Sequence, residues 1–130
     1  MNQLIFKYMC LSFLLASLVI TAGCKNDALV YQVNDVVSDP GAYVGDLTLE
    51  GVVYTFAKDN PSIVGVMDKK ELQCTTPNCK KTLMAVQVVE SKLAVGDEVK
   101  VSGAIVKESW GYLLKAEQVK VMNNHKLGGA

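Results

Sequence analysis

Apolar and polar residues alternate with a period of two over most of the chain from residue 47 to residue 122, the pattern of strands with one face buried. The first such segment, 47–56, places apolar residues at Leu47 and Leu49 and then at Val52, Tyr54 and Phe56, so the phase slips by one at Gly51. A slip at glycine predicts a β-bulge that bends the strand to serve two sides of a small barrel. Further strands are expected over 62–68, 82–89 and 98–106, the last with Val99, Val101 and Ile105 on one face. A fifth, over 111–122, passes from Leu114 and Ala116 to Val119 and Val121 with a second slip near Gln118. Five strands with turn signals between them, bent in the first and last, predict an all-β chain folded as a small barrel.

Ahead of the strands, Asn34 is placed to cap a short helical turn over Val33, Val36 and Val37 that must stop before Pro40. Pro40 and Gly41 then make a turn, and Tyr43 to Asp46 lead into the first strand. Residues 25–30 read as a tether, and 123–130, with two Asn, one His, one Lys and two Gly, as a flexible tail.

The first 23 residues follow a different pattern. Lys7 precedes an apolar run from Tyr8 to Ile20, and the small residues Thr21, Ala22 and Gly23 lead to Cys24. That is the layout of a secretory signal peptide, and the run is shorter than the roughly 18–20 residues a membrane span needs. Residues 20–24 resemble the bacterial lipobox, with Thr21 where Leu is commonest. The resemblance implies lipidation of the Cys24 thiol (palmitate among the acyl chains), cleavage before it, and a chain tethered to a membrane without spanning it. Lys25 in place of Asp favours the outer membrane, facing the periplasm, by resemblance to enterobacterial sorting. The expected organisation is a signal peptide over 1–23, a lipidated tether and helical lead-in over 24–42, a barrel over 43–122 and the tail over 123–130.

Composition narrows the chemistry. The 13 basic residues are all Lys and are matched by 13 acidic ones, so the chain is not a strongly basic nucleic-acid binder. With Cys10 in the signal segment and Cys24 lipidated, only Cys74 and Cys79 of the four cysteines remain in the folded domain. An oxidising envelope compartment favours a disulfide between them, although so small a loop gains only about 2 kcal/mol from it. A metal or copper site and a reactive pair are the alternatives.

Gly51 to Val53, Val66 to Asp68, Leu93 to Gly103 and Tyr112 to Val119 together resemble the OB-fold domains of the tRNA-anticodon-binding type. The resemblance covers about 43–122 and implies a five-stranded OB-like barrel. The helix such folds often carry between their third and fourth strands is reduced here to 91–96. The haem-carrying envelope chaperone of this fold anchors haem through a His with a nearby Tyr, a pattern that the sequence from His125 onward does not match, so no cofactor is expected.

OB-folds bind ligands on the face of their second and third strands and the adjacent loops. Here that points to Lys69, Lys70, Lys80 and Lys81 around the Cys loop, and to Trp110 and Tyr112 in the last hairpin. A solvated Lys loop and a ring capping the barrel are the structural readings of the same residues. Asp68, Glu71, Asp97 and Glu98 read as solvated turn carboxylates and His125 as exposed, so no catalytic set is expected. The sequence therefore favours a non-enzymatic, membrane-anchored lipoprotein whose OB-like module binds an envelope protein or small ligand, nucleic acid being disfavoured. The alternative is a redox or metal-handling protein using Cys74 and Cys79 on copper or zinc, with Met67 or Met84 as a further soft ligand.

Overall fold

The computed structural model describes residues 29–74, 76, 78–89 and 92–127. The signal segment, Cys24 and most of the expected tether lie outside them. Strand β1 (Val30–Gln32) leads into helix α1 (Val33–Ser38) and a 3-10 turn, Pro40–Tyr43. Then come β2 (Gly45–Phe56), β3 (Ile63–Met67), a second 3-10 turn (Lys69–Gln73), β4 (Leu83–Gln87), β5 (Asp97–Glu108) and β6 (Gly111–Asn124).

Strands β2, β3, β4, β6 and β5 follow one another round a closed sheet, because β5 pairs back with β2 from Gly45 to Val52. Within the barrel every pair is antiparallel except β4 with β6. This is the small five-stranded barrel that the alternation predicts, and it is OB-like, as the resemblance implies. Closure depends on β2 serving two neighbours, β5 along its first part and β3 from Val52 onward. The core is rich in valine: Val53, Val64, Val66, Val86, Val99 and Val101 pack with Leu49, Met84, Ile105 and Leu114. β-Branched residues suit a pleated surface buried on one side, and each such side chain contributes about 1.5–3 kcal/mol on burial.

The bends fall at different residues from those the phase slips suggest. The β2–β5 register runs unbroken through Gly51, and the irregularity in β2 lies between Val53 and Thr55, leaving Tyr54 as the extra residue. Gly51 is needed for close approach instead: a Cβ there would sit 2.5 Å from a Val66 methyl and 2.7 Å from both the Met67 carbonyl and a Val33 methyl. Inward alternation thus continues from Leu49 through Gly51 to Val53, and Gly51 is a core position without a side chain. The slip expected near Gln118 is present, with Glu117 unpaired opposite Ser102 and Gly103. Gly103 lets the strands touch there, since a Cβ would collide with the Lys115 carbonyl.

Val30, the last residue of the expected tether, and the next two, Tyr31 and Gln32, pair in parallel with Thr48, Leu49 and Glu50 of β2. β1 delivers α1 to the barrel, where Val33 and Val36 are fully buried against β2, β3 and β4. The rings of Tyr31 and Tyr43 meet edge to face at 5.1 Å beside them. Among the described residues between β4 and β5 there is no helix, so the cap is supplied by α1, ahead of the barrel. Asn34 is not its cap. The residue at the cap position is Gln32, with no side-chain bond, and the Asn34 N–H is bonded by Asp68 Oδ2 at 3.0 Å from the far end of β3.

Residues 123–127 are also tied down. Asn123 and Asn124 continue β6, and the His125 N–H donates to the Gly96 carbonyl at 2.8 Å. The Asn124 amide donates to Asp97 Oδ1 at 2.7 Å, which fastens this segment to the start of β5.

Candidate functional site

The four acidic residues expected in solvated turns behave otherwise. Asp68, Asp97 and Glu98 are buried, and only Glu71 keeps partial exposure. Ionised carboxylates tolerate burial only with partners, and each has them. Asp68 accepts the N–H groups of Asn34 and Lys70, capping α1 and the second 3-10 turn together. Asp97 accepts the Ala94 N–H at 2.8 Å and the Asn124 amide. Glu98 takes the Lys69 ammonium on one oxygen at 2.9 Å and the His125 ring on the other at 2.6 Å. The hydrogen bonds from Lys69 and His125 hold the Glu98 carboxyl below its ordinary range against the opposing effect of burial. The same contact raises the Lys69 ammonium. His125, expected to be exposed, is therefore a partner of a buried carboxylate.

This divides the four lysines. Lys69 is committed to Glu98, and the Lys81 ammonium donates to the carbonyls of Glu71 and Cys74. Lys70 and Lys80 present exposed side chains. The cluster is thus partly a fastening for the loop that follows β3. Cys74 and Cys79 are joined by a disulfide with their Cα atoms 6.2 Å apart. The loop is drawn in further by bonds from the Cys74 N–H to Glu71 O and from the Cys79 N–H to Thr76 O.

Two grooves flank these elements. One, of about 230 Å³, is lined by Tyr54, Met67, Glu71, Leu72, Cys74, Lys81 and Leu127, and so touches both the disulfide and the C-terminal segment. Both methionines considered as soft ligands are buried, Met67 beneath this groove with Cys74 and Met84 beneath the other one. Among the described residues no group of three or more His, Cys, Asp or Glu is placed to hold a metal ion. No described helix is long and apolar enough to cross a membrane.

The other groove, of about 240 Å³, runs between the cap and the last hairpin. Val37 and Pro40 form one wall, Leu83, Met84 and Ala85 of β4 the floor, and Trp110, Gly111 and Tyr112 the other wall. The two ring residues do different work. Tyr112 is half-buried against the core, and its hydroxyl lies beside the Gly41 backbone. Trp110 is 59% exposed at the groove rim. In a larger depression of about 340 Å³ beside β1, the hydroxyls of Thr48 and Ser102 are bonded to each other at 3.0 Å.

Residue type and a place in the last hairpin identified Trp110 and Tyr112 but not the other walls of their groove, because Val37 and Pro40 come from a cap whose docking is a tertiary event. The cap role of Asp68 had a local signal. An Asp followed three residues later by Glu71, ahead of a helical turn, is a capping sequence. Its second partner, Asn34, lies 34 residues away and has no such signal. Comparison with protein families and with curated proteins finds no match to this chain.

Proposed function

We propose that the chain is a non-enzymatic binding module of the bacterial envelope, held at a membrane by acylated Cys24 and presenting the Trp110 groove to a partner protein or small ligand. The observation that carries this reading is the exposure of Trp110 over an apolar groove, since an indole left 59% in water at such a rim is an anchor for something that covers it. The buried carboxylates support it from the other side. Their oxygens are occupied by backbone and side-chain donors, which fits a scaffold role better than proton transfer.

The anchor and the groove are tested separately. Palmitate labelling is expected in the wild-type chain and lost in Cys24→Ser, whose precursor stays uncleaved; labelling that survives refutes the anchor. A photo-crosslinking residue at position 110 is expected to give discrete adducts in envelopes that the same residue at exposed Lys58 does not. Adducts equal at both positions, or absent from 110, refute the groove.

A further inference from the structure

The disulfide does little for the fold. It spans a sequence separation of 5, and closing so short a loop contributes only about 2 kcal/mol. Its surroundings are more specific than its size requires. Cys74 is exposed and lines the groove formed with Tyr54, Met67, Leu72 and Leu127, so a second molecule reaches it without unfolding of the barrel. Cys79 is half-buried, and the Thr76 hydroxyl oxygen lies 3.3 Å from its sulfur. Exposed Lys80 follows it directly, and the Lys81 ammonium is fixed on the backbone of Cys74. The two cysteines therefore differ: Cys74 is exposed along a groove, and Cys79 has a hydroxyl donor at its sulfur and exposed Lys80 next in the chain.

We propose that Cys74–Cys79 is a thiol–disulfide exchange site for a dithiol protein, with Cys74 the sulfur attacked and Cys79 the leaving group. A partner thiolate seated against the apolar groove attacks Cys74 Sγ. The intermolecular S–S bond forms as the Cys74–Cys79 bond breaks, and the electron pair leaves on Cys79 Sγ. There the Thr76 hydroxyl donates a hydrogen bond to the thiolate and Lys80 supplies opposite charge, which lowers the leaving thiol's pKa and speeds its departure. The partner's second thiolate then attacks its own sulfur in the mixed disulfide and releases Cys74. The partner's dithiol is oxidised to a disulfide, and Cys74 and Cys79 gain its two electrons and, from solvent, two protons. This exchange goes beyond the binding role of the Trp110 groove and is independent of the lipid anchor.

The test uses the oxidised mature chain with glutathione as the thiol probe. Under native conditions the first mixed disulfide, trapped by acid and located by fragmentation mass spectrometry, is expected on Cys74. Thr76→Val and Lys80→Gln are each expected to slow reduction by about 3–10-fold, the size expected when a leaving thiol loses part of its stabilisation. Their denaturation midpoints should stay unchanged, which separates a chemical effect from loss of structure. Three results overturn the proposal: glutathione found on Cys79, a Thr76→Val rate equal to wild type, or reduction whose denaturant dependence equals that of global unfolding.

Discussion

Asp68 is the residue whose removal should cost most for its size. It is fully buried, and its two oxygens each accept one backbone N–H, from Asn34 at 3.0 Å and from Lys70 at 2.9 Å. Asp68→Ala would orphan both donors. A lost helix cap costs about 1 kcal/mol, up to about 2, and an unsatisfied buried donor about 1–3 kcal/mol. The two together predict a loss near 3 kcal/mol, a large part of the roughly 5–15 kcal/mol that holds a domain folded. With a urea slope of about 1.5 kcal/mol/M, the midpoint would fall by about 2 M. The control is Asn34→Ala. Were Asn34 the cap of α1, as its position in the sequence suggests, this change would cost about 1 kcal/mol. Because its side chain caps nothing here, the expected cost is under about 0.5 kcal/mol. Urea denaturation of both variants, followed by far-ultraviolet circular dichroism with the disulfide intact, decides between them. An Asn34→Ala loss equal to or greater than that of Asp68→Ala would refute the cap assignment.

Gly51→Ala should destabilise by about 1–3 kcal/mol through overpacking against Val66, Val33 and the Met67 carbonyl, and Gly103→Ala by more, because its Cβ meets backbone that cannot rotate away. A neutral Gly51→Ala in the same denaturation assay would mean that the close approach is not real. The third prediction concerns acid. Glu98 is held low in the folded chain, so its ionised form stabilises at pH values above the unfolded carboxyl value of about 4.3, and that stabilisation is lost as pH falls through the folded value. The stability difference between wild type and Glu98→Gln should therefore be largest near neutral pH and shrink below about pH 4; a difference constant down to about pH 3 would contradict the Lys69–Glu98–His125 contact.

What was legible in the sequence is what depends on residues near one another in the chain. Period-two alternation gave five strands and their order, and turn residues separated them, because burial on one face acts on every second residue. The slip at Glu117 is visible because the apolar set at Leu114 and Ala116 before it and that at Val119 and Val121 after it differ in phase by one. At Gly51 the same reasoning misplaced the bulge. A glycine occupying a core position looks polar in the alternation, so a continuous strand looked broken, and Tyr54, the true extra residue, matched the wrong phase. β1 was illegible because three residues carry no period. The buried state of Asp68, Asp97 and Glu98 was hidden for another reason: their partners Asn34, Asn124 and His125 are at least 27 residues distant, and a carboxylate is read as solvated until its donors are known. Trp110 and the Cys74–Cys79 pair were legible as candidates from residue type alone, but not the grooves that give each a direction.

The placement of the charges bears on the two grooves that Trp110 and Cys74 line. A small domain that buries three carboxylates must satisfy six oxygens, and here the donors come from the segments that flank the barrel: α1, the second 3-10 turn, the loop before β5 and the C-terminal residues. Each carboxylate therefore fastens a peripheral segment to a strand end. Those segments are what form the grooves: α1 and the turn after it supply Val37 and Pro40 beside Trp110, and the C-terminal segment supplies Leu127 beside Cys74. Loosening the Glu98 fastening should accordingly act at the disulfide groove and spare the Trp110 groove, whereas loosening Asp68 acts at both. Asp68 holds both α1, beside Trp110, and the second 3-10 turn, which lines the disulfide groove, whereas Glu98 holds Lys69 and His125 near the disulfide groove, so Glu98→Gln should alter the proposed thiol exchange and leave the proposed binding at Trp110 unchanged.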